Sequence, residues 1–311
     1  MRDGTSLKIG TRGSKLALAQ VALFIEAFRE RHPEWSVEIV RISTKGDRVQ
    51  DQPLAQIGGK ALFVEEIETA LRNGDIDVAV HSAKDIPSSL AADMEIVACL
   101  SRADARDVLV SRGNLGLAQL GSGARVGSSS PRRACQLRSM RSDIEVSDIR
   151  GNVDTRLAKL DRGDYDAIIL AAAGLARLGL LSRVTQCFEV ESMIPCAGQG
   201  AIALETARDS PLAAMLRALS DHETLTAVLA ERAFAERVNG SCESPIAAHA
   251  TVQGNTIALS AMLGNLDGRF VAGSLSGSVL QAVNVGQLLA DSLLDGGGAE
   301  LLGRASTRNA R

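Results

Sequence analysis

Gly127-Ser128-Ser129-Ser130-Pro131-Arg132-Arg133 closes an apolar, strand-like stretch and opens a helix. Ser130 is a natural N-cap, and Pro131 suits the first helical position, where a missing N–H costs nothing. About twenty residues on, Ile149-Arg150-Gly151-Asn152-Val153-Asp154-Thr155-Arg156 repeats the arrangement. Cations at a helix N-terminus oppose the macrodipole by roughly 0.3–1 kcal/mol each, so their presence there asks for a reason. Free backbone N–H groups beside paired arginines make an anion trap. Two such strand-to-helix junctions indicate an α/β fold that holds something with several negative charges.

Outward from these junctions, the first two hundred residues alternate strand and helix signals, the pattern of largely parallel sheets. Leu7-Lys8-Ile9 reads as a first strand, followed by a helix from about Ser14 with Leu16, Ala19, Leu23 and Ala27 on one face. Val37 to Ile42 is a second strand. Thr44 to Lys60 is a long polar, Gly-rich loop and a candidate lid. Ala61 to Arg72 is a helix stopped by Asn73-Gly74, and Ile76 to His81 a buried strand ending in Ser82-Ala83-Lys84-Asp85. The pattern restarts near Asp107, with strands at Val108–Val110, Arg125–Gly127, Ile144–Ile149 and Ala167–Ala171. Gly198-Gln199-Gly200 reads as a hinge, and Ala201 to Leu204 as a strand returning to the first sheet.

From about Ser220 the character changes. Ser220-x-x-Glu223 predicts a capping box for a helix through Arg237. Ile246–Gln253, a Gly254-Asn255 turn and Thr256–Leu263 predict a hairpin, with Arg269–Leu275 as a third strand and a last helix over Leu280–Leu294. The expected domains are 1–100 with 200–218, 101–199 and 219–311. No internal repeat is visible in the sequence.

The chain has 311 residues, 45% of them apolar, and a net charge of −3, so the arginines form a local patch on a mildly acidic protein. General nucleic-acid binding is disfavoured by that balance, and one Trp, one Tyr and six Phe leave little surface for stacking bases. Arginine makes up 28 of the 34 basic residues, which suits bidentate capture of carboxylates, although a GC-rich genome produces the same bias. No stretch approaches the 18 or more apolar residues of a membrane span, and the N-terminus carries no signal-peptide core. Five cysteines without a Cys-x-x-Cys pair and four histidines without ligand spacing predict reduced thiols, no metal and a cytoplasmic setting.

Two further residues stand out. Asp85 is a lone carboxylate at a strand end beside Lys84, suited to stabilising a cation or moving a proton, or simply to pairing with that lysine. Cys242 lies in a Gly- and Ser-flanked loop after a helix end, where a thiol is more open to reaction or modification than in an apolar run such as that around Cys99. A cysteine-hydrolase reading lacks a supporting base motif.

Eight segments in order carry a resemblance to porphobilinogen deaminases (hydroxymethylbilane synthases) over essentially the whole chain. They are Thr11-Arg12-Gly13-Ser14-Lys15-Leu16-Ala17-Leu18, Gly58-Gly59-Lys60 with Leu62-Phe63, His81-Ser82-Ala83-Lys84-Asp85, and Gly127 to Arg133. Arg150-Gly151-Asn152 with Thr155-Arg156-Leu157, Ala173-Gly174-Leu175 with Arg177-Leu178-Gly179, Gly198-Gln199-Gly200-Ala201, and Gly240-Ser241-Cys242 complete the set. The resemblance implies two periplasmic-binding-protein-like α/β lobes with hinge crossovers and a small C-terminal α+β domain. It implies a transferase that condenses four porphobilinogen molecules, releasing ammonia, into the linear tetrapyrrole hydroxymethylbilane. The primer would be a dipyrromethane cofactor joined by a thioether to Cys242.

Each pyrrole bears acetate and propionate groups, which accounts for the arginines. The resemblance makes Asp85 the catalytic carboxylate, in contact with pyrrole N–H groups and the azafulvene cation. It places Lys84, Ser129, Arg132, Arg133 and Asp85 at the cofactor, and Arg12, Ser14, Phe63, Arg150, Arg156 and Arg177 at the substrate. A monomer without metal, membrane or nucleic-acid partner is expected. The sequence departs from the family pattern at Ala61, Ala83, Pro131, Asp154 and Ala176; the last stands where a lysine is common and bears on substrate affinity. Rival readings are a two-lobed polyanion-binding protein without chemistry, and an inactive member of the family.

Overall fold

The computed structural model describes residues 5–48, 64–239 and 244–303. Most of the Gly-rich loop, Phe63 and Cys242 lie outside the described residues. The chain forms two compact units, residues 1–103 with 200–225, and residues 104–199 with 226–311.

In the first unit the chain runs β1 (Ser6–Thr11), α1 (Lys15–Arg31), β2 (Ser36–Arg41), α2 (Glu65–Arg72), β3 (Val78–Ser82) and β4 (Met94–Cys99). It is completed by β10 (Ile202–Ala207), which enters the sheet between β3 and β4 to give the order β2-β1-β3-β10-β4. The sheet is mixed: β1 is parallel to β2 and β3, while β10 runs antiparallel to both its neighbours. Helix α1 buries Gln20, Val21, Phe24 and Phe28, while Leu23 is exposed, so the expected apolar face is rotated. Both stripes are apolar, and the one carrying two phenylalanines removes more surface from water, roughly 1.5–3 kcal/mol for each full burial. These side chains pack on Leu7, Ile9, Val78, Val80, Ile202 and Leu204.

The second unit contains two sheets. Strands β5 (Asp107–Ser111), β6 (Arg125–Gly127), β7 (Glu145–Ser147), β8 (Ala167–Ala171) and β9 (Gln186–Cys187) form one, in the order β7-β6-β8-β5-β9. Helices α3 (Pro131–Met140) and α4 (Val153–Arg162) follow β6 and β7, and α5 (Ala172–Arg177) follows β8. Strand for strand this order matches the first unit: three parallel strands, then one reversed strand, then a fifth.

The other sheet is an antiparallel meander of β11 (Ile246–Gln253), β12 (Thr256–Gly264) and β13 (Phe270–Ser278). Helices α6 (His222–Arg237) and α7 (Ala282–Leu293) cover one face, where Phe234, Ile257, Leu259, Leu263, Leu289 and Leu293 pack together. The opposite face meets α3, with Cys135 and Ile194 against Ala247 and Met262. The expected capping box at Ser220 is not what starts α6. Asp221 Oδ1 accepts the Thr224 N–H at 2.8 Å, while Ser220 Oγ is engaged with the Cys99 backbone.

Candidate functional site

In the first unit, β1 and β3 end side by side. The buried Thr11 hydroxyl donates to Val80 O at 3.4 Å, so the segments that follow both strands start from a common level. Arg12 follows directly, and Ser14 caps α1 by accepting the Ala17 N–H at 3.1 Å. Beyond β3 the chain makes one 3-10 turn, Ala83–Asp85, anchored where Ala83 N–H donates to Ala201 O at 3.0 Å. Arg12 Nη1 stands 4.0 Å from Asp85 Oδ2, with both side chains partly exposed. A pair at that distance in contact with solvent contributes little to stability, in the range of about 0–1 kcal/mol. Asp85 is therefore held near a cation yet open to a reacting molecule.

One residue here is absent from the sequence reading. Gln20, buried in α1, donates from Nε2 to Ser82 Oγ at 2.6 Å and so ties the helix to the start of the Asp85 turn. Its signal was available: it is the only polar residue between Leu16 and Ile25.

In the second unit, Ser129 Oγ donates to Ile149 O at 2.5 Å and accepts Ile149 N–H at 3.0 Å. This hydroxyl staples the ends of β6 and β7, which places the Arg150 segment next to the head of α3. Ser130 Oγ caps α3 through Arg133 N–H at 3.4 Å, with Pro131 in the first turn as the sequence predicts.

Arg132 and Arg133 stand in the first turn of α3. Both are over nine-tenths buried, and both grip Asp107: Arg132 Nη1 at 2.6 Å from Oδ2, Arg133 Nε and Nη2 at 2.9 and 2.7 Å from Oδ1. They also donate to the carbonyls of Ile194 and Ile169, and Gln199 Nε2 adds a bond to Asp107 at 3.0 Å. Burial alone would raise the Asp107 pKa. The charges of Arg132 and Arg133, with hydrogen bonds from Arg132 and Gln199, outweigh it and hold the carboxyl well below the usual range. Two cations against one anion leave this cluster with an excess positive charge.

The other basic residues follow β7 and β8 in the chain: Arg150 in the turn before α4, Arg156 and Lys159 within α4, and Arg177 at the end of α5. Arg156 Nε donates to Gly151 O at 2.8 Å, bracing a turn in which Gly151 has φ +113°, and Lys159 Nζ donates to Arg150 O at 3.1 Å. Arg177 ends α5, where burial pushes its guanidinium down to about 10. A neighbouring carboxylate would reverse that shift, since an opposite charge favours the ionised form. Ala176 beside it is exposed.

Glu231, fully buried on α6, accepts Gly198 N–H at 2.6 Å and Ala250 N–H at 2.7 Å, which ties the crossover segment to the third sheet. Among the described residues no group of three or more His, Cys, Asp or Glu is placed to hold a metal ion. Among them, too, no helix is long and apolar enough to cross a membrane.

Comparison with known proteins matches two family models. Residues 7–214 match "Porphobilinogen deaminase, dipyromethane cofactor binding domain", and residues 225–295 match "Porphobilinogen deaminase, C-terminal domain". A porphobilinogen deaminase of Roseiflexus castenholzii is 51% identical over 96% of this chain and 98% of its own. Those of Pelobacter propionicus and Syntrophus aciditrophicus are each 46% identical over 95% of this chain and 96% and 97% of theirs. Two consecutive family models and relatives matched nearly end to end give one result: the chain belongs to the porphobilinogen deaminase family.

Proposed function

We propose that the chain condenses four porphobilinogen molecules head to tail, releasing one ammonia at each addition and taking up one water when the finished tetrapyrrole is cleaved from its primer, into hydroxymethylbilane, with Asp85 as the catalytic carboxylate. The single observation that carries the assignment of Asp85 is its setting. It is a partly exposed carboxylate on the 3-10 turn that follows β3, 4.0 Å from Arg12, where Val78 to His81 of the strand are buried.

The donor chemistry fits a dipyrromethane. Such a group presents carboxylates; in the first unit Lys84 follows β3, and in the second Ser129, Arg150, Arg156 and Arg177 follow β6, β7 and β8, with Arg132 and Arg133 adding positive charge. Cys242, the expected point of attachment, is outside the described residues. When bound, the cofactor supplies a free pyrrole α-carbon as the site of first attachment.

The chain's own residues then have separable tasks. Arg12, Arg150, Arg156 and Arg177, with Ser14 and Phe63, bind and orient substrate, the arginines by pairing with acetate and propionate groups. Asp85 accepts hydrogen bonds from the pyrrole N–H, which grows more acidic as the aminomethyl group departs as ammonia. Its negative charge stabilises the positive charge left on the ring and methylene carbon. After the new carbon–carbon bond forms, the attacked α-carbon loses its proton, and a carboxylate at Asp85 can carry that proton away.

A three-domain organisation (1–100 with 200–218, 101–199, 219–311) accommodates these tasks, supported by one sheet for each. A cytoplasmic, monomeric protein completes the reading, supported by the free cysteines and by acidic substrates that need no membrane.

Single-turnover addition of porphobilinogen, with enzyme-bound intermediates counted by mass, tests the assignment. Asp85→Asn is expected to fold and to elongate the chain at least about 10²-fold more slowly, in line with loss of a positioned acid–base group. Asp85→Glu should retain more activity than Asp85→Asn. Elongation by Asp85→Asn at the unmodified rate would reduce Asp85 to a structural partner of its neighbouring cations.

A further inference from the structure

Strand β3 faces two ways. Val78 and Val80 pack toward α1, while Ala79 packs with Ile67 and Leu71 of α2, and His81 alternates onto that same side. On β10, Ala203 pairs with His81 and Glu205 with Ala79, so His81 and Glu205 are diagonal neighbours in the α2-facing layer. Their side chains meet with His81 Nε2 at 2.9 Å from Glu205 Oε2, the histidine 4% and the glutamate 0% exposed.

This is an expensive place for charge. Replacing a buried pair of ionisable groups with apolar residues is commonly neutral or stabilising, so stability does not account for the pair. Nor is the pair satisfied: close as they are, His81 Nε2 and both Glu205 oxygens lack a well-directed hydrogen bond among the described residues. A second acid, Glu68 of α2, adds to the cost. Burial raises its pKa first and the charge of Glu205 raises it further, against the opposing pull of Arg72. Three titratable groups thus occupy a layer that apolar side chains could fill.

What an apolar pair cannot supply is direction. His81 and Ala203 form the last rung but one joining β3 to β10, before Ser82 and Ile202, and the contact beyond these, Ala83 N–H to Ala201 O, already belongs to the Asp85 turn. Asp85 comes four residues after His81, at the end of the 3-10 turn that follows β3. A displacement of His81 passes straight into the carboxylate.

We infer that His81 and Glu205 are positioning residues for Asp85, fixing the last rungs of the β3–β10 ladder so that the turn holds its carboxylate in place. The inference rests on the reading of Asp85 as the catalytic carboxylate. Because a misplacement on the order of 1 Å can cost about a hundredfold in rate, the effect belongs to the condensation step.

The test uses cofactor-loaded enzyme, with loading confirmed by intact mass, and compares Glu205→Gln, the isosteric His81→Gln/Glu205→Gln pair and the apolar His81→Leu/Glu205→Leu pair. Glu205→Gln is expected to lower kcat by about 10- to 100-fold, with KM changed less than about twofold. The Leu pair is expected to melt at or above the unmodified temperature and still show the kcat loss. Unmodified kcat in the Leu pair overturns the inference, as does a kcat loss that follows melting temperature across the series. Should the Leu pair not fold, the Gln pair is read by the same criterion. Asp85→Asn is assayed alongside: if it too elongates normally, the reading of Asp85 has failed, whereas a slow Asp85→Asn with fully active pair variants defeats this inference alone.

Discussion

Asp107 shows how residue type underdetermines role. The sequence pointed to Arg132 and Arg133 as anion binders, and the anion they bind in the structure is part of the chain itself. This separates two substitutions that look alike on paper. Arg132→His leaves Asp107 short of a buried partner and should lower the melting temperature, because breaking a buried pair costs about 3–5 kcal/mol. Arg150→His removes a half-buried cation from the turn between β7 and α4. It should leave melting nearly unchanged and weaken substrate capture by about tenfold to a hundredfold, the loss of one charge-assisted contact of roughly 1.5–3 kcal/mol. Thermal melts and substrate titrations on both variants check this.

The pH dependence of Asp107 has a definite sign. Its folded pKa is depressed, so its contribution is complete above the ordinary carboxylate value of about 3.9 and is lost as pH falls below it. An acid titration followed by circular dichroism should show a shallower acid limb for Asp107→Asn than for the unmodified chain.

Elements were legible wherever local chemistry alone decides them. Ser130 followed by Pro131 fixes the start of α3, and Ser130→Ala should cost about 1 kcal/mol, the usual value for a lost cap, readable as a shift in urea midpoint. The orientation of α1 was not legible, since either of two apolar stripes could face inward and the sheet chose the one with Phe24 and Phe28. The start of α6 was misassigned by one residue because Ser220 is occupied by Cys99 of β4, a partner 121 positions away. Long-range partners of this kind also hid Asp107, Gln20 and Glu205.

Gly286 marks a close approach that sequence cannot foresee. A methyl group there would run into the Ala230 carbonyl and stand 3.0 Å from Phe234 N, so α7 lies directly on the backbone of α6. Gly286→Ala should destabilise the third sheet's layer by about 1–3 kcal/mol through overpacking, seen as a lower melting temperature with an unaltered catalytic rate below it.

For the whole molecule, the alternation of strands and helices announced the α/β class, and the returning strand after Gly200 was legible as well. The common strand order of the first two sheets was not, because it is a repeat of topology with no repeat of residues. Cofactor loading is the property expected to act on the entire fold. Intact mass should show an adduct that peptide mapping places at Cys242, and Cys242→Ser should give a bare chain that melts lower, since a ligand bound only to the native state stabilises it by linkage.

The placement of β10 has a consequence for how the protein is made. Strand β4 ends at Cys99, and the strand that must slot between it and β3 begins only at Ile202. The ribosome therefore releases about a hundred residues while the first sheet waits with a gap at its middle. At roughly 5–20 residues per second that interval is about 5–20 s, long enough for the sheet of β5 to β9, whose strands all lie within that stretch, to close first. Chains stalled near residue 190 should accordingly resist protease in the later-made sheet and be cut readily in the earlier one. The unpaired flanks of β3 and β4 are then the surfaces that a nascent-chain chaperone must shield.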